Sequence, residues 1–173
     1  YRALTSAEQD VALVAYRRLF SAAQARADLP EMQALTQAAE LRFAGQTAVL
    51  AELWTRVGAE SFRQGRREAA ELFLQKAWSQ RQAQPVNEVV PLYLSEIALA
   101  RGDREAARGL LEAHAAGTDV GSGAVLIRLG DIALLAGDFA AAARQYERFR
   151  AGFPGSRRAA EVEYLLAFCA FRQ

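Results

Sequence analysis

The chain has 173 residues, 52% of them apolar, with 21 basic against 20 acidic side chains and a net charge of +1. That apolar share excludes a disordered chain, and so even a charge balance argues against an electrostatic nucleic-acid binder. Mean hydropathy is −0.05, and no apolar run is long enough to span a bilayer.

Ala, Leu, Glu, Gln and Arg dominate and Pro is scarce, so local preference is helical nearly throughout and the expected structure is all-α. Thr5 to about Ala27 reads as the first helix. Thr5 and Glu8 form a capping-box pattern, and Val11, Leu13, Val14, Leu19 and Phe20 supply its apolar stripe. Asp28-Leu29-Pro30 breaks it and starts a second helix carrying Met32, Leu35, Ala38, Leu41 and Phe43, stopped by Gly45. The turn between these two lacks the signature of the later turns, so they read as a degenerate pair. Helices follow at 48–64 and 67–81, at 87–101 and 105–115, and at 124–136 and 139–152. The glycine-bearing stretch 116–123 has no preceding strand and no following Gly-Lys-Ser/Thr, so it reads as a linker rather than a phosphate loop. Ser156 caps a last helix reaching about Phe171.

The turns repeat. Gly65, Gly102 and Gly137 recur at intervals of 37 and 35 residues. Trp54, Val57 and Gly58 stand before the first turn as Leu126, Leu129 and Gly130 stand before the third. Ala70, Ala107 and Ala142 each lie five residues after their glycine, and Leu74, Leu111 and Tyr146 four residues later again. Small residues let paired helices approach, and the larger ones fill the space between them. Pro154 closes the third unit.

Across 48–155 this pattern resembles the tetratricopeptide repeat family. It departs from the family at Ser61, where an aromatic is usual, and at Ser95, where the middle unit would carry Gly. The resemblance implies a right-handed α-α superhelix (a TPR solenoid) of about nine helices. It implies one domain over 1–173: a degenerate pair at 1–46, repeats at 47–86, 87–121 and 122–155, and the first helix of a further repeat at 156–173. The run from Ala142 to Phe149, then Phe153-Pro154-Gly155-Ser156, then Ala159 to Ala167, is similar to repeats of bacterial envelope proteins, among them β-barrel assembly lipoproteins and periplasmic cell-division coordinators.

In this family, first helices line a concave groove that holds a peptide or a partner's helix. The inward residues here are Thr55, Phe62 and Arg63, then Leu92, Glu96 and Leu99, then Ile127, Asp131 and Leu134, with Glu52 and Ala59 beside them. The implied function is a non-catalytic scaffold with a protein or peptide partner, in the periplasm or at the outer membrane. The alternative is a repeat module of a larger cytoplasmic regulator or of an enzyme-containing protein. The carboxylate clamp of chaperone-adaptor members needs Lys, Asn and Arg at inward places, where Thr55, Ala59 and Glu96 stand.

No cofactor, metal or catalytic set is expected. His114 is the one histidine, too few for a multi-histidine zinc site, and Cys169 reads as a buried thiol. Arg63, Arg66 and Arg67, with Arg148, Arg150, Arg157 and Arg158, read as solvated faces. The last helix carries Tyr164, Leu165, Leu166, Phe168, Cys169 and Phe171 on all its sides. It therefore calls for a neighbour, either more chain beyond Gln173 or a second copy. The chain opens on Tyr1 with no signal-peptide pattern, which fits a mature protein or a piece of a longer one.

Overall fold

The computed structural model describes residues 6–116 and 122–173. Among the described residues there are nine α-helices and no strand. They are α1 (Ser6–Ala25), α2 (Leu29–Arg42), α3 (Thr47–Arg63), α4 (Arg67–Ser79), α5 (Val89–Ala100), α6 (Arg104–Ala115), α7 (Gly123–Leu135), α8 (Phe139–Gly152) and α9 (Ala159–Arg172). The chain falls into two compact units, Tyr1–Val86 and Asn87–Gln173. In the first, α1 pairs with α2 and α3 with α4, and α2 lies against α3. In the second, α5 pairs with α6 and α7 with α8, α6 lies against α7, α8 against α9, and α5 touches α7. The Thr5–Glu8 capping box and residues 117–121 of the glycine-bearing stretch lie outside the described residues.

Each hairpin is made at its corner. Gly65, Gly102 and Gly137 have φ of 74°, 81° and 79°. An L-residue in that region costs roughly 1–2 kcal/mol, which glycine avoids. The residue after each glycine turns its amide back onto the first helix: Arg66 N to Ser61 O at 2.8 Å, Asp103 N to Ala98 O at 3.0 Å, Asp138 N to Ala133 O at 3.0 Å. Asp103 and Asp138 then cap the second helix, accepting from Ala106 N at 2.9 Å and Ala141 N at 2.8 Å.

The first hairpin has the same corner, contrary to the expectation from its sequence. Ala27 takes φ 52°. Asp28 N donates to Ala23 O at 3.0 Å, and the Asp28 carboxylate accepts from Glu31 N at 3.1 Å. Only the residue differs, so the signature was hidden by an alanine in a glycine's place.

The repeat offsets are the packing positions. Five residues past the corner stand Met32, Ala70, Ala107 and Ala142, and nine past it Thr36, Leu74, Leu111 and Tyr146; all eight are fully buried. Seven before it stand Phe20, Gly58, Ser95 and Gly130, also buried. A Cβ on Gly58 would lie 2.6 Å from Leu74 Cγ, and one on Gly130 would land in the Tyr146 ring. These two glycines are there because the opposing helix leaves no room for a methyl group. Ser95 packs tightly too: it is fully buried and its Oγ donates to Leu92 O at 2.7 Å.

Several helix details differ from the sequence reading. In α1, Val11, Val14 and Leu19 are exposed, while Phe20 and Ala23 are buried and Tyr16 packs edge-on to Phe43 at 5.3 Å. In α2, Leu41 is 89% exposed, and Thr36 and Ala39 join Leu29 and Met32 as the buried residues. Both errors come from taking every apolar residue as inward when the corner sets the phase. Gly45 does not stop α2, which ends at Arg42 with the Phe43 amide on Ala39 O. Ser156 does not cap α9: its Oγ accepts from Arg158 N at 3.2 Å, and the helix opens at Ala159.

Candidate partner-binding face

In the second unit the first helices α5 and α7 meet through charge. The Arg128 guanidinium reaches from α7 to Glu96 on α5 at 2.6 Å and lies 3.9 Å from Asp131, one turn along its own helix. Asp131 in turn accepts from the Tyr146 hydroxyl at 2.8 Å. Burial, followed by the Asp131 carboxylate, pushes the Tyr146 phenol far above its ordinary value, so it stays a proton donor to Asp131. Glu96, Arg128 and Asp131 are each half-buried and stand among half-buried leucines, Leu92 and Leu99 on α5 and Leu134 on α7. Leu92 and Leu99 also pack against the core formed by α6 and α7.

Ile127 is a correction. It is 1% exposed and belongs to the core that joins α7, α8 and α9 through Tyr146, Phe149, Val162 and Cys169, so it presents no surface to a partner. Its inward offset is the same as that of Thr55 and Leu92, but α7 has neighbours on more sides.

In the first unit the corresponding residues are spread along α3. Thr55 is half-buried and donates to Ala51 O at 2.8 Å; Phe62 is half-buried and Arg63 exposed. Ala59 is buried at 7% exposure. Arg63 pairs with Glu60, whose carboxyl is held below its usual range by hydrogen bonds from Arg63 and Gln64. Arg56 reaches from α3 to α1: its Nε donates to Gln24 Oε1 at 2.8 Å, a terminal nitrogen to Ser21 Oγ at 3.1 Å, and its plane covers the Phe20 ring. Lys76 donates to Glu40 at 2.7 Å beside the Trp54 indole, which donates to the same oxygen at 2.6 Å. Burial opposes the Glu40 charge, but these two donors prevail and lower its pKa.

Sequence reasoning passed over Arg56 and Arg128 as functional residues. Both lie nine residues before their corner, and each ties its first helix to the preceding one. The recurrence at one offset was the available signal.

Other candidate groups stay apart. His114 is half-buried, and burial lowers its pKa against the pull of Glu88. Cys169 is fully buried and burial raises its thiol pKa, which suppresses the reactive thiolate. Among the described residues no three His, Cys, Asp or Glu side chains lie together as a metal site would need. A pocket of about 180 Å³ between α8 and α9 is lined by Phe149, Phe153, Pro154 and Val162, with Arg150 and Glu163 beside them. Ligand pockets usually run to roughly 300–1,000 Å³.

No family model and no curated protein matches the sequence. Among solved structures, the crystal structure of MamA, a tetratricopeptide-type protein, is similar, with a TM-score of 0.67 over 92% of this chain and 87% of that one, at 16% identity. At that identity the likeness speaks for the fold: an all-α solenoid of the tetratricopeptide type. No described helix is long and apolar enough to cross a membrane.

Proposed function

We propose that this chain is a non-catalytic interaction module that receives a peptide segment or a partner's helix on the open face of its first helices. The reading rests on one observation: Leu99 and Leu134, half-exposed, flank the Glu96–Arg128–Asp131 cluster on adjoining helices of the second unit. Apolar anchors with a fixed charge pattern between them suit an amphipathic ligand, the leucines supplying burial and the charges setting register. Leu92 contributes at the edge of this face. In the first unit Thr55, Phe62 and Arg63 form the equivalent surface. The setting proposed is a bacterial envelope assembly, supported by the style of repeat running from Ala142 to Ala167.

The test is capture of partners from an envelope extract by the native protein, Leu99→Asp and Phe62→Asp, with helicity checked by circular dichroism. A partner held by the native chain and lost from either folded variant supports the reading. An identical set of partners on all three proteins refutes it.

A further inference from the structure

The charged cluster on the second unit's face is unbalanced. Glu96 and Asp131 each stand six residues before their corners and share a single cation, Arg128, at 2.6 Å and 3.9 Å. Two carboxylates and one guanidinium leave one negative charge. The guanidinium is the most covered of the three: the Arg128 side chain is 26% exposed, with its Nε shut off from solvent, against 31% for Asp131 and 40% for Glu96. Arg158 lies in the field of Asp131, but it is bonded to Glu161 at 2.7 and 2.8 Å, so that pair adds no net charge. The Tyr146 hydroxyl is neutral and donates to one oxygen, Asp131 Oδ1. The open side of the cluster is therefore rich in carboxylate.

We infer that the segment received on this face carries a lysine or arginine whose head pairs with Glu96 and Asp131. The inference rests on the proposed role of this face as a peptide-binding surface and names what it selects. Leu99 and Leu134 lie three residues nearer the corners on the same two helices, half-exposed, where the aliphatic stem of a long basic side chain can rest. An acidic residue at that point would be repelled by the surplus charge, and a neutral one would leave it unanswered. Phosphate or carboxylate groups are disfavoured there for the same reason. The first unit lacks the feature, because Ser21 and Ala59 hold the places of Glu96 and Asp131. The basic anchor therefore belongs to the second unit.

The test is selection of random peptides displayed on phage against the 173-residue chain, keeping those held by the native protein and lost from Leu99→Asp. Synthetic copies are then titrated by fluorescence anisotropy against the native protein and Glu96→Gln. That variant removes one charge, leaves the bond between Tyr146 and Asp131 in place, and should not alter circular dichroism. The selected peptides are expected to share a lysine or arginine flanked by apolar residues. Their affinity should fall about tenfold on Glu96→Gln. Replacing the basic residue of the peptide by glutamine should cost as much and make the peptide indifferent to Glu96→Gln. Selected peptides with no shared basic residue, or with equal affinity for the two proteins, overturn the inference and leave the peptide-binding face standing. So does a glutamine-substituted peptide that still loses affinity on Glu96→Gln. A selection that yields no peptide dependent on Leu99 overturns both the inference and the proposed function.

Discussion

Gly58 in the first unit and Gly130 in the second occupy the same place, seven residues before their corner, and face the residue nine after it. The opposing residues differ in kind. Leu74 is a branched aliphatic chain that can change rotamer. Tyr146 is a flat, fully buried ring whose hydroxyl is tied to Asp131. The other two hairpins fill the same pair of positions with Ser95 and Leu111, and with Phe20 and Thr36, the last with the large residue on the first helix. What recurs is a smaller residue set against a larger one at each crossing, with neither the identity of the two nor the helix that carries the larger one fixed.

The strongest way to break this comparison is to add one carbon at each crossing. Gly130→Ala drives a methyl group into the Tyr146 ring, which can yield only by giving up its bond to Asp131. The expected loss is about 3 kcal/mol, at the upper end of ordinary overpacking. Gly58→Ala meets Leu74 both at its side chain and, at 3.1 Å, at its backbone nitrogen, but breaks no side-chain hydrogen bond, and should lose about 2 kcal/mol. Urea unfolding of the two variants measures the difference. Tyr146→Leu in the Gly130→Ala background, which makes the second crossing resemble the first, should recover part of the loss. Equal losses at the two glycines would show that the tethered ring is no stiffer than the leucine.

A smaller effect separates the first corner from the other three. Ala27 sits at φ 52° where Gly65, Gly102 and Gly137 stand elsewhere. Ala27→Gly relieves about 1–2 kcal/mol of backbone strain and adds up to about 1 kcal/mol of unfolded-state freedom, so a gain near 0.5 kcal/mol is expected. Thermal unfolding reads it as a small rise in Tm. A fall in Tm would mean that the alanine methyl group makes a contact worth more than the strain.

That corner also shows what the sequence could convey. The three later hairpins were legible because a glycine at positive φ and small residues at fixed offsets leave a recurring mark. The first was not, because its alanine adopts the glycine's conformation and no propensity announces that. Burial on α1 and α2 was misjudged for a related reason: Val11, Val14 and Leu41 are apolar, but their phase is set by a corner that the sequence did not reveal. At the candidate face, residue types gave the offsets but not the neighbours. Ile127 shares its offset with Thr55 and Leu92, and only the packing of α7, α8 and α9 buries it. Arg128 shares its offset with Arg56, but its partner Glu96 on α5 is supplied only by the packing.

The finest distinction between the units lies four residues before each corner, where Ala23, Ala98 and Ala133 stand in three hairpins and Ser61 in the fourth. All four accept the amide of the residue after the corner through their carbonyl oxygens, so the backbone role does not depend on the side chain. The Ser61 side chain is fully buried and its hydroxyl finds no hydrogen-bond partner. Burying an unpaired hydroxyl costs roughly 1–3 kcal/mol, against which the oxygen returns only its packing. Ser61→Ala removes that cost and leaves a gap of one atom, so the first unit should become up to about 1 kcal/mol more stable. A clear loss of stability in urea unfolding would show that the hydroxyl is needed where three other hairpins do without it.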